Sequence, residues 1–228
     1  MSEQFDLAAE AKEFADDVSV RALTCLEGAP IPDELKVLGS PDRKRFTFNY
    51  RQTIHASPGG PPVGLFGMAY ALTADRMGRH LAVHTSKLEV TDVRGKKPIL
   101  RMEYVRDSFS APCSHVHVHA ESGLFTHLLA MTGHPSPSAV QSIHIPTGGD
   151  RFRPCAEDFV QWLIEDCRIA GRDGWRDEVA AGRERWRQIQ TAAAVRDRPD
   201  VAIAELEKLG LKVTGDLDSA RPEARVRY

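Results

Sequence analysis

The stretch His115-Val116-His117-Val118-His119-Ala120-Glu121 alternates strictly between polar and apolar residues. On a β-strand this order puts the three histidines and Glu121 on one face and Val116 and Val118 on the other. Imidazoles serve as metal ligands and as acids or bases near neutral pH, so such a row marks a place where chemistry is feasible. Two histidines separated by one residue can reach a single ion. His115 and His119, ~13 Å apart along a strand rising ~3.3 Å per residue, cannot readily share one. A metal site drawn from His115, His117, His119 and Glu121 therefore pairs His117 with one neighbour. It is completed by Glu121, His144, His80 or His84. Zinc is the divalent metal this donor set suits, and an open coordination position would activate water.

The same atoms support a metal-free reading. Two imidazoles of different pKa facing one groove act as base and acid in RNA cleavage, with an arginine stabilising charge at phosphorus. Arg101, Arg106, Arg151 and Arg153 lie close enough in sequence, and Asp107 or Glu103 would orient a histidine. A third reading leaves the histidines on a polar sheet face, paired with carboxylates and without a reaction. The segment His144-Ile145-Pro146-Thr147-Gly148-Gly149-Asp150-Arg151-Phe152-Arg153-Pro154 suits either an anion-binding turn or a tight turn built on two glycines. It lacks the Lys-Ser/Thr pair of a phosphate loop. If His144 returns beside the histidine strand, one cleft gathers His117, His119 and His144 with Arg151 or Arg153 as a catalytic set. The run Arg183-Glu184-Arg185-Trp186-Arg187-Gln188 resembles a nucleic-acid patch, but a solvated helix face is the favoured reading, because Trp186 falls on an apolar stripe and acidic neighbours dilute the charge.

The elements that must hold these residues change character twice. Residues 5–27 carry an apolar stripe at helical spacing, stopped by Gly28, Pro30 and Pro32, and 28–42 read as a loop with a short turn near Glu34–Leu38. From 44 to about 146 the period is two. Strands are expected at 45–51, 66–73, 79–91, 99–105 and over the histidines, with one more at 141–145. Residues 121–132 read as a short helix between the last two. Beyond Gly149 the helical period returns, with Pro154 at a first-turn position, and helices are expected from there, through 173–196, and from Pro199 to Gly210. The sum is an α+β protein: an antiparallel sheet of about five or six strands, an N-terminal helix and a C-terminal segment of about three helices. Residues 1–172 form the α+β domain, 173–215 a helical extension packed on it or mediating assembly, and 216–228 a flexible tail.

Length and composition bound the function. With 228 residues, 42% hydrophobic and 27% charged, the chain can bury a core, and a net charge of −2 gives no global attraction to nucleic acid or anionic lipid. No apolar run approaches a membrane span, and the acidic N-terminus lacks the basic-then-apolar pattern of a secretory signal. Four scattered cysteines without a CxxC pair fit free thiols in a reducing cytoplasm.

Arg101-Met102-Glu103-Tyr104-Val105-Arg106-Asp107, the pair His117 and His119, and His144-Ile145-Pro146 ahead of an acidic-started helix together resemble the small TumE-like proteins of bacterial toxin–antitoxin loci. The resemblance spans about residues 99–165. It implies an intracellular, RNA-directed activity held in check by an antitoxin-like partner. The competing expectation is a non-catalytic interaction module, in which the sheet packs a partner and the C-terminal helices mediate assembly.

Overall fold

The computed structural model describes residues 5–32, 36–40, 42, 44–109, 111–119, 123–147 and 153–215. Asp6 starts helix α1 (Leu7–Cys25), its carboxylate accepting hydrogen bonds from the Ala8 and Ala9 N–H groups. Ala11, Ala15, Val18, Ala22 and Cys25 give the helix its buried stripe. At Leu26 the backbone turns extended, and Gly28, at φ +148°, lets the chain lie directly on the strand that follows. A Cβ at Gly28 would collide with the Thr53 carbonyl, so glycine is required there.

Seven strands form one antiparallel sheet in sequential order: β1 (Lys36–Gly39), β2 (Arg45–His55), β3 (Pro62–Ala74), β4 (Leu81–Thr91), β5 (Pro98–Val105), β6 (Ser114–Val118) and β7 (Ile145–Pro146). Helix α2 (Gly123–Met131) and a short 3-10 turn (Val140–Ser142) connect the last two strands, and α3 (Ala156–Glu165), α4 (Trp175–Asp197) and α5 (Pro199–Lys208) follow. The architecture is α+β, with one strand more than the spacing predicts.

The additional strand is β1, where a turn near Glu34–Leu38 is expected. All four of its residues are exposed, so it carries no burial alternation to read. The strand expected at 141–145 divides instead into the 3-10 turn and the two-residue β7. Pro154 stands before α3 rather than in its first turn; Cys155 is the N-cap, and its N–H donates to Asp158 Oδ2 at 3.1 Å.

The alternating burial of β2 sorts the two sheet faces. Phe46, Phe48, Tyr50 and Ile54 point into a core that continues through Phe66, Met68 and Leu88 and is closed by α1, α3 and the start of α4. Trp175 and Val179 of α4 belong to this same core. The opposite face carries polar residues, and the histidines stand there. Among the described residues no helix is long and apolar enough to cross a membrane. All four cysteines are free thiols; burial raises that of Cys25 to about 11 and that of Cys155 further. Residues 216–228 lie outside the described residues.

Candidate metal centre

Strand β6 lies between β5 and β7, and that position creates the site. Its register pairs His115 with Glu103 and His117 with Arg101 on one side, and His115 with Pro146 and Val116 with Ile145 on the other. Continued by one residue, the β6–β7 register sets His144 opposite His117. The return is held by the Thr147 N–H donating to the Ser114 carbonyl at 3.1 Å and by a 2.6 Å contact between the two hydroxyls. The rings of His115, His117 and His144 stand 4.7 to 4.8 Å apart, centroid to centroid, and meet edge to face. One ring nitrogen from each lies within 4.8 Å of the others. His115 and His117 are buried, at 4% and 6% exposure, so their rings are held rather than solvated.

Hydrogen bonds fix which nitrogen each buried ring presents. His115 Nδ1 is 2.6 Å from the Pro112 carbonyl and His117 Nδ1 is 2.8 Å from the Gln141 carbonyl. A carbonyl only accepts, so both Nδ1 atoms carry hydrogen, and in the neutral rings both Nε2 atoms present lone pairs. Those Nε2 atoms lie 3.6 and 3.5 Å from Glu103 Oε2. With both rings neutral, two lone pairs and a carboxylate oxygen converge there, a set that a cation would hold together; a protonated ring would instead donate from Nε2 to Glu103. Partial burial of His144 lowers its pKa, which favours the ring with a free lone pair. Carbonyl-anchored imidazoles with free Nε2 atoms are the usual outer-shell arrangement of histidine metal sites.

No protein-family model, curated protein or solved structure matches this chain.

The structure brings together His115, His117 and His144 and leaves other expected members apart. His119 falls just beyond β6, its ring 6.4 Å from that of His117 and its Nε2 buried without a hydrogen-bond partner among the described residues; burial and then Arg101 lower its pKa. His115 stands in its place beside His117 and His144. Arg153 is also remote, with its guanidinium 4.6 Å from the centre of the Tyr104 ring. Strand alternation directs Tyr104 to the face opposite Glu103, so Arg153 lies across the sheet from the histidines. His84 faces Asp107, 4.0 Å away, and Arg106 donates to the Val83 carbonyl. Neither His84 nor His80 joins the cluster. Glu121 and Arg151 lie outside the described residues, as do Gly148 and Gly149.

Glu103 is the member that sequence reasoning placed only as an orienting group. Its position at the mouth of the trio depends on the β5–β6 register, which no local pattern encodes. The available signal was its place on the polar face of the strand preceding the histidines. Arg101 Nη1, 3.4 Å from Glu103 Oε1, steadies that carboxylate from the neighbouring row.

Proposed function

We propose that His115, His117 and His144 hold a divalent metal ion of the zinc type and that the protein is a metal-assisted hydrolase. The observation carrying this reading is the convergence of one ring nitrogen from each of three histidines, two of them with Nδ1 turned to a backbone carbonyl. A bound ion of this type would act as a Lewis acid and acidify water at its open position. Glu103 would then accept the proton from that water, because its Oε2 already faces the two Nε2 atoms. Arg101 keeps Glu103 aligned. An RNA-directed form with an antitoxin-like partner is the version that the TumE resemblance adds.

The test is zinc uptake by the purified protein, followed by hydrolysis assays on phosphate-ester and carboxylic-ester model substrates. One tightly held ion per chain is expected, falling at least tenfold in His117→Ala and His144→Ala. Equal uptake by wild type and both variants would reject the reading. The interaction-module alternative has its own supporting observation: Leu124, Leu128 and Met131 form a stripe on α2 that is 87%, 55% and 74% exposed.

A further inference from the structure

The segment that carries His144 back to the sheet is almost free of charge. From 108 to 149 the sequence contains a single Asp, Glu, Lys or Arg residue, Glu121, in a chain that is 27% charged. From 122 to 149 it contains none. This arm leaves the sheet after β6, forms α2 and the 3-10 turn, and re-enters at β7. None of its described residues from 123 to 147 is buried.

Exposure and lack of charge conflict in such an arm. Helix α2 has nine residues, and an isolated helix so short is marginal in water unless an apolar face packs against something. Leu124, Leu128 and Met131, at positions i, i+4 and i+7, form that face, and all three are exposed. The helix calls for a cover.

The chemistry of the arm selects the cover. A helix lying on a lipid surface carries Lys or Arg beside its apolar face, often with Trp; residues 122–149 contain none of these. A foreign protein is selected largely by complementary charge, which the arm also lacks. A second copy of the chain needs no charge. About a two-fold axis a patch meets itself, so a charge near the axis would face its like. A charge-free patch is self-complementary, and depletion of charge marks the buried centre of protein interfaces. A standard interface takes ~20–30 residues a side, and the arm from 123 to 147 is of that size. Helix α5 also buries no residue, but it carries Asp200, Glu205, Glu207 and Lys208.

We propose that α2 and the arm around it form a two-fold interface with a second copy of this chain, with Leu128 at the axis. The interface borders the histidine centre, because His144 and the Gln141 carbonyl that holds His117 belong to the same arm. It requires no metal ion.

Sedimentation velocity of the full chain is measured over a range of concentrations with metal chelated. A reversible monomer–dimer equilibrium is expected. Leu128→Glu and Leu128→Lys should each raise the dissociation constant at least tenfold while the circular dichroism spectrum stays native, since position 128 is exposed. Leu124→Glu should do the same. Mixing the two Leu128 variants should restore dimers, because opposite charges then meet across the axis.

A wild type that sediments as a monomer at every concentration would overturn the proposal, and if that monomer floats with phosphatidylcholine vesicles the arm is a lipid-binding surface instead. Dimers undiminished in the Leu128 and Leu124 variants would also overturn it; their loss in Leu209→Glu would move the interface to the C-terminal helices. Failure of the mixed variants to pair would rule out the two-fold contact at Leu128.

Discussion

Glu103 and the buried histidines divide the work of the centre by what each atom can donate. His115 and His117 spend their Nδ1 hydrogens on fixed carbonyls, so in the neutral rings the Nε2 atoms are acceptors. Glu103 supplies only more acceptor oxygen. Glu103→Gln would keep the shape but replace the proton acceptor with an amide. Metal affinity should fall no more than ~10–100-fold, while hydrolysis falls ~10²–10⁴-fold; equilibrium dialysis and steady-state rates measure the two. Loss of both in the same proportion would make Glu103 a ligand and not a base. The histidine alternation was legible at this scale because period two is a local property, and Val116 and Val118 declared the opposite face. His144 was legible only conditionally, since its closeness depends on β7 folding back. The choice of His115 over His119 as the neighbour of His117 could not be read, because the strand ends at Val118 and the alternation loses its meaning beyond it.

At the scale of elements, the sheet is stable enough to carry a polar face because its other face is sealed. Helices α1 and α4 approach closely at Gly182, where a Cβ would meet Arg21 Nη1 at 2.6 Å and collide with the Glu157 carboxylate. Arg21 pairs with Glu157 at 3.2 Å and also with Asp17, so the glycine shelters an ion pair between α1 and α3. Gly182→Ala should cost ~1–3 kcal/mol through overpacking, seen as a lower denaturation midpoint in urea. An unchanged midpoint would mean that the helices separate without penalty. Sequence periodicity identifies α1 and α4 from their apolar stripes and sets Gly182 on that of α4, but it does not say what packs against it. The strands β2 to β5 were legible for the same local reason as the histidine row. Strand β1 was not: it sits at the sheet edge with every residue exposed, and pairing alone makes it a strand.

For the whole molecule, the sheet order places the histidine centre toward the β7 edge, on the face opposite the helix-covered core. Metal binding would link this centre to folding, because the ligands come from β6 and from the segment that returns after α2. Zinc at ~100 times its dissociation constant should raise stability by ~2.7 kcal/mol, read from urea unfolding with and without the ion. Hydrogen exchange should slow most in β6 and 140–147. Stabilisation of equal size in the His117→Ala, His144→Ala double variant would place the ion elsewhere.

The most direct measurement is the anomalous diffraction of zinc-soaked crystals, recorded on both sides of the zinc absorption edge. The account predicts one strong peak ~2.0–2.1 Å from a ring nitrogen of each of His115, His117 and His144, with Glu103 beside it. Crystals that hold zinc only at other residues, with the three rings bonded solely to protein and water, would contradict it.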